Sequence, residues 1–341
     1  MNSFFRNTVM VGLLGLFSAI GLASCEQVEP ATPTATLPAA TSVPVGTGVA
    51  ATPKAASTGE KIQLKLNLKK GQTFRQRLVV DQNISQVAGG TPVRVVQSLG
   101  IGFTFDVEDV DAGGNTTVKT TYDSIMLNMD GAMGRVQYDS ANPPAQAPLI
   151  ASVFGSLVGQ SIVVIISSDG RITEVRGVEG LVSGIVGKLF PSGGPAADGA
   201  RQMLDAQFGD QAIKDTMQDV LLLPYPPNPV GVGDSWTTTV QKSGPATMLV
   251  TNTWTLRERT AGVLTVDLSS TIKSSPDAEG ASGGARASYI IEGTQAGTVY
   301  LEEATGWSTR GKITEKIAAE MSMQGNSLPL NLDSVITLSP R

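Results

Sequence analysis

Residues 93–107 read Val-Arg-Val-Val-Gln-Ser-Leu-Gly-Ile-Gly-Phe-Thr-Phe-Asp-Val. Ile101, Phe103, Phe105 and Val107 recur at every second position. In an extended chain that period puts them on one side, so the stretch predicts a long strand with one covered face. The pattern spreads outward from there. Downstream, Asp111-Ala-Gly-Gly-Asn115 predicts a hairpin loop, after which Val118, Thr120 and Tyr122 resume the alternation and Ile125 to Met129 continue it. Upstream, Ile62, Leu64, Leu66 and Leu68 alternate with polar residues and predict another half-buried strand. Phe74 to Ser85 predicts the next strand, turned at Gly89-Gly90. Ser161–Ser167 and Ile172–Val175 form a further hairpin across Ser168-Asp169-Gly170. Together these strands make an antiparallel meander.

The second half carries similar signs. Gly71-Gln-Thr-Phe74 is echoed by Gly233-Asp-Ser-Trp236, and the turn at Asp169-Gly170 by Thr305-Gly306. Residues 59–176 and 230–338 are therefore read as two related β-meander halves. Between them, Val178, Leu181, Val182, Ile185, Val186 and Leu189 repeat at helical spacing. Pro191 to Pro195 break that helix. Residues 196–222 predict two more helices divided near Gly209, and Pro224 to Pro229 force an extended exit. The fold class expected is α+β, mainly antiparallel β, with the helical segment of about 178–222 packing on the sheet.

Composition narrows the chemistry. The chain has 341 residues, no histidine and one cysteine. A Ser-His-Asp or Cys-His catalytic site is therefore excluded, as are a His zinc site and an internal disulfide. The net charge of −5 offers no attraction for nucleic acid.

The N-terminal segment reads as an address. Arg6 precedes an apolar run from Val9 to Ile20, followed by Leu22-Ala23-Ser24-Cys25. The run is too short for a comfortable membrane span and ends at small residues, which marks a signal peptide over residues 1–24. At this point the chain resembles bacterial lipoprotein precursors, whose lipobox places leucine three residues before an acylated cysteine. The resemblance implies that Leu22, Ala23 and Ser24 form the lipobox and that Cys25 is lipidated. Each buried methylene adds about 0.8 kcal/mol, so two or three acyl chains hold a protein firmly at a membrane. Residues 25–58 then form a Pro/Thr/Ala-rich tether without helical or strand period. A folded domain over 59–341 follows. The expected location is the cell envelope, on the extracytoplasmic side of an outer membrane or at the cell surface.

Two further stretches carry a family resemblance. Tyr138-Asp-Ser140 with Asn142-Pro-Pro144 is one, and Pro229-Val230 through Gly233-Asp-Ser-Trp236 is the other. With the Gly71–Phe74 opening they resemble a family of uncharacterised bacterial lipoproteins classed as a domain of unknown function. The resemblance spans most of residues 60–338. It implies an exported, anchored domain and brings no catalytic residue.

Other candidate chemistry resolves into ordinary structure. Asp109-x-Asp111-x-Gly113 resembles the start of a calcium loop, yet the position of the expected closing glutamate is Thr120. Asp106, Glu108 and Asp109 read as a solvated strand face rather than a hydrolase pair. Ser235 has no histidine to activate it, and Ser183 is followed at the wrong spacing by Lys188. The expectation is a non-enzymatic protein without metal or cofactor. It binds a lipid or other apolar ligand in a cradle between sheet and helices, or an envelope partner. The alternatives are a structural or assembly lipoprotein acting through its surface and a carboxylate-based hydrolase.

Overall fold

The computed structural model describes residues 58–88, 91–131, 134–221, 223–242, 247–275, 279–282, 285–323 and 326–341. The signal peptide, the lipobox with Cys25, the tether up to residue 57 and the Gly89-Gly90 turn lie outside the described residues.

Before the helical segment run β2 (Thr73–Ala88), β3 (Thr91–Val110), β4 (Thr116–Gly131), β5 (Gly134–Asp139), β6 (Ser161–Ile166) and β7 (Ile172–Arg176). After it run β9 (Ser235–Lys242), β10 (Met248–Thr260), β11 (Val263–Ser274), β12 (Glu279–Ser282), β13 (Ala285–Glu302), β14 (Ser308–Met323) and β15 (Asn326–Pro340). Among the described residues these strands form one antiparallel sheet in the order β7-β6-β4-β3-β2-β15-β14-β13-β11-β10-β9, with β5 on β4 and β12 on β13. The two runs join where β2 pairs with β15, Gln82 opposite Ser334. A second, small sheet pairs β1 (Thr58–Ile62) with β8 (Val230–Val232).

The strand expected over 62–68 is only partly a strand. The alternation holds, since Leu64, Leu66 and Leu68 are all buried. After Ile62, however, the backbone leaves the ladder and becomes a strap. Leu66 N–H donates to Ser168 O at 2.8 Å, and Asn67 N–H donates to Thr305 O at 2.9 Å. Those acceptors sit in the β6–β7 and β13–β14 turns. In a flat sheet the two turns would be separated by five strand spacings, about 24 Å. One dipeptide spans only about 7 Å. The sheet is therefore curled, and the strap bridges its two limbs at one end. Tyr225 repeats the bridge: its N–H donates to Asp169 O at 3.1 Å, and its hydroxyl donates to Gly306 O at 2.6 Å.

Four helices accompany the sheet among the described residues: α1 (Leu149–Gly155), α2 (Val178–Leu189), α3 (Pro195–Phe208) and α4 (Asp210–Leu221). The short α1 was not anticipated from the sequence. The helix α4 is fastened to the β7 margin, where Gln218 Oε1 accepts from Ile172 N–H at 2.8 Å and Gln218 Nε2 donates to Gly170 O at 2.9 Å. Val182, Ile185, Leu204, Ile213 and Met217 enter the same apolar cluster as Val118, Val164, Trp254 and Leu256.

Tyr122 lies in this cluster, its ring 5.2 Å from that of Phe103. Burial pushes its hydroxyl up to about 12 from 10.0. The unfolded chain thus ionises first as pH rises, and the stability held below pH 10 drains away between about 10 and 12. Chemical denaturation from pH 9 to 11.5 should show midpoints falling with pH. Tyr122→Phe should flatten that fall, and an unchanged slope would contradict the burial.

Candidate functional site

The inward face of the sheet is apolar along most of each strand, but one cross-strand row is not. Following the register from the β9 edge, Thr238 lies opposite Asn252, Asn252 opposite Ser270, and Ser270 opposite Gln295. Gln295 lies opposite Glu315, Glu315 opposite Ser334, Ser334 opposite Gln82, and Gln82 opposite Gln97. Met129 and Val136 close the row. Eight consecutive strands thus place a polar residue at the same height.

This girdle divides the interior. On one side Val80, Leu99, Ile313, Leu268 and Trp254 belong to the large cluster. On the other, Ile84, Leu332, Ile317, Ile291, Ile272 and Val250 form a separate one. Each of these strands keeps its period of two, so Asn252, Ser270, Glu315, Ser334, Gln82 and Gln97 each stand between two apolar neighbours on the same face, while Gln295 stands between Gly293 and Gly297.

A polar group in such a place must be hydrogen-bonded or it costs stability. Most of the girdle satisfies itself. Ser270 Oγ donates to Asn252 Oδ1 at 2.7 Å, and Trp254 Nε1 donates to Thr238 Oγ1 at 3.4 Å. Gln295 Nε2 donates to Glu315 Oε2, and Gln97 Nε2 donates to Gln82 Oε1. Ser334 is only 3% exposed. Its hydroxyl is buried without a hydrogen-bond partner.

A cavity of about 670 Å³ lies against the girdle. Its walls are the triplets 81–83, 96–98, 128–130, 135–137, 314–316 and 333–335, centred on Gln82, Gln97, Met129, Val136, Glu315 and Ser334. Those six centres are the inward residues of β2, β3, β4, β5, β14 and β15. The volume suits a ligand of tens of atoms. The walls come from strands alone, whereas the sequence placed the cradle between sheet and helices. Helical spacing marks an apolar face, but it does not say which part of the sheet that face covers.

The residues singled out in the sequence have structural duties. Asp111 Oδ1 accepts from Gly113 N–H at 2.8 Å and from Asn115 N–H at 2.9 Å. These bonds, led by the Asn115 side-chain amide, hold its carboxyl below the usual range. Lys70 Nζ lies 3.4 Å from Asp109. No cluster of three metal-ligating side chains occurs among the described residues. Asp106 accepts from Thr73 Oγ1 at 2.6 Å, and Glu108 is exposed. Ser183 Oγ accepts from Arg201 Nη1 at 2.9 Å.

The family motifs are likewise architectural. Gly233 turns the chain into β9 with φ +92°, a conformation that favours glycine. Asp234 Oδ2 accepts from Gly231 N–H at 3.0 Å and pairs with Lys61 Nζ at 3.1 Å. Ser235 Oγ meets Thr255 Oγ1 at 2.8 Å, and Trp236 Nε1 donates to Pro224 O at 3.0 Å. Asp139 and Ser140 cap the turn after β5: Ser140 Oγ accepts from Ile125 N–H, and Asp139 Oδ1 accepts from Ala141 N–H, both at 2.9 Å.

Sequence reasoning noted neither Gln82, Gln97, Glu315 nor Ser334. Each is a polar residue at an inward position of an otherwise apolar alternation, and that local break was the available signal.

Among solved structures, the chain is similar to lipovitellin at a TM-score of 0.44 and 10% identity, over 81% of this chain and 25% of that one. It thus spans about a quarter of the lipovitellin chain's length. It is similar to an outer membrane channel from Pseudomonas putida F1 at a TM-score of 0.23 and 9% identity, over 80% of this chain and 97% of that one. No curated protein matches it. Residues 113–308, more than half of the chain, match the model of a family of unknown function, DUF6263. That span holds both the Tyr138-Asp-Ser140 and the Gly233-Asp-Ser-Trp236 motifs, and the chain belongs to this family.

Proposed function

We propose that this chain is a lipid-anchored envelope protein that holds an apolar ligand in the cavity of its curled sheet. The carrying observation is the cavity itself, about 670 Å³ against the inward face of six strands. The hollow is open to solvent, and the surface it exposes is mostly apolar, which suits an apolar occupant. The anchor reading rests on Leu22-Ala23-Ser24-Cys25 after the apolar run, and the tether supplies reach from the membrane. The repeated Gly-x-x-aromatic openings at Gly71 and Gly233 support reading the two meanders as copies of one unit.

A role exerted through the surface has less support. Among the described residues the large exposed apolar ones are Val96, Val240, Leu249, Val263 and Ile290. Val240 and Leu249, on the paired β9 and β10, leave opposite faces, and Val263 lies at the far end of the β11 pairings from both Leu249 and Ile290, so they make no continuous patch. The reading is non-enzymatic.

Two measurements test the reading. Growth with an alkyne-bearing fatty acid should label the chain, and Cys25→Ser should abolish the label completely. Equal labelling of both forms removes the anchor. Solvent extraction of the purified chain should yield close to one lipid per molecule by mass spectrometry, and recovery of none removes the ligand.

A further inference from the structure

The outward face of the sheet gathers cations at one place. Lys312 of β14 lies opposite Thr337 of β15, and Thr337 opposite Val79 of β2. Two residues along the same face, Arg310 stands beside Lys312 and Arg77 beside Val79, with Arg75 two further on. Arg75, Arg310 and Lys312 are exposed and Arg77 is half-buried. Arg341 completes the group. Its N–H donates to Arg75 O at 3.1 Å, and its guanidinium crosses β2 and β3 to reach Asp123 Oδ2 at 3.1 Å.

Two glycines of β3 make room for this. A Cβ at residue 102 would stand 2.6 Å from Arg341 Nη1, and one at residue 100 would stand 3.1 Å from Arg77 Nη2. Both guanidiniums thus lie along the sheet over bare backbone. They are placed before any partner arrives, which lowers the ordering cost of binding.

Charge balance decides what the group can meet. Among the described residues, Asp123 is the one side-chain carboxylate that pairs with any of these five cations. Of the acids bordering them, Asp106 accepts from Thr73 at 2.6 Å, Asp267 pairs with Arg257 at 3.2 Å and Glu302 accepts from Thr305 at 2.6 Å. Asp81 stands two rows beyond Arg77 on β2. The chain carries a net charge of −5, yet Arg75, Arg77, Arg310 and Lys312 crowd together without an acid of their own. Like charges on neighbouring strands repel, and a shared anion removes that repulsion. Guanidiniums grip phosphate oxygens two at a time.

The location favours a membrane. Glu60 lies 3.8 Å from Arg259, and Arg259 pairs at 2.6 Å with Glu303 in the β13–β14 turn, from which Arg310 follows directly on β14. The first described strand, reached from the tether, and the cation group therefore share one end of the sheet.

We propose that this end of the outward face docks on the phosphate headgroups of an anionic bilayer, through Arg75, Arg77, Arg310, Lys312 and Arg341. The choice of a membrane as occupant rests on the anchor proposed above, which keeps the chain within reach of headgroups. The patch does not depend on the hollow or its ligand.

Lysine acetylation of the full, acyl-anchored chain on vesicles tests this. One set of vesicles is phosphatidylcholine alone, and the other contains roughly a third phosphatidylglycerol. A short pulse of a water-soluble acetylating ester is read by peptide mass spectrometry, with the exposed Lys188 on α2 as reference. Relative to Lys188, Lys312 should react about threefold more slowly on the mixed vesicles than on phosphatidylcholine. Salt at about 0.5 M should erase the difference, and so should Arg75→Gln combined with Arg77→Gln. If that double variant lacks a cooperative thermal transition, Arg310→Gln decides, since this exposed side chain stacks on Tyr300 at 4.0 Å at the surface. Equal reactivity of Lys312 on both vesicles, or protection that survives salt, overturns the docking. Protection by soluble glycerol phosphate as strong as that by vesicles overturns the membrane as occupant. Flotation with phosphatidylcholine vesicles reads the anchor separately. A chain that floats only with the mixed vesicles loses the anchor and keeps the patch, and one that floats with neither loses both.

Discussion

Replacing Trp307 with alanine is expected to lower the unfolding free energy by about 3–5 kcal/mol, the range for a fully buried large aromatic. Trp307 is 2% exposed. Its ring stacks on Phe74 at 5.0 Å and meets Phe105 edge-on at 5.2 Å. Its backbone carbonyl accepts from Glu302 N–H at 2.9 Å, which closes the β13–β14 turn. That same turn receives the strap through Thr305 O and the Tyr225 hydroxyl through Gly306 O. Truncation therefore opens a cavity where the two limbs of the curled sheet are bridged, and the surrounding backbone is too constrained to collapse into it. Trp307→Phe should cost much less. It keeps ring contacts, and the indole Nε1 it removes is buried without a hydrogen-bond partner. Urea unfolding of both variants checks the pair. A loss under 1 kcal/mol for the alanine form would mean the bridge does not hold the sheet together.

Gly297→Val should be nearly as damaging, about 3 kcal/mol and at the upper end for an overpacked interior. A Cβ at residue 297 would stand 2.3 Å from Lys312 O and 2.7 Å from Ile313 Cα. Both are backbone atoms of β14, so no side chain can swing away. Gly293, four residues earlier, would meet Lys316 O at 2.7 Å. The two glycines flank the girdle residue Gln295 and let β13 and β14 approach closely where the sheet bends. The expected result is a lower urea midpoint with broadened near-ultraviolet circular dichroism. A midpoint like that of the unchanged chain would show that the strands can part without loss.

Much of this architecture was legible in one dimension. Phe103, Phe105 and Val107 were placed on a single face by spacing alone, and all three are buried. The hairpin at Asp111 followed from residues whose side chains bond their own backbone. The strand expected at Leu64 to Leu68 failed in an instructive way. Alternation reports which side chains are covered, not whether the backbone has a neighbouring strand, and a strap covers its alternate residues equally well. The helix α1 was missed because seven residues carry too little period, and its first turn holds no acidic residue. The girdle was beyond a linear reading for a different reason. Gln82 and Ser334 are opposed only because β2 pairs with β15 across most of the chain. Each polar residue is an isolated exception in its own strand, and only the register turns eight exceptions into one row. The cavity depends on the same register.

That central pairing also governs when the molecule can be completed. Until Leu330 to Pro340 arrive beside Gln76 to Gln86, the nascent protein consists of two ribbons with unsatisfied edges at what will become its middle. Pairings so distant in sequence close slowly. Interruption of synthesis before Asn326 should consequently leave a species prone to self-association rather than a smaller working version.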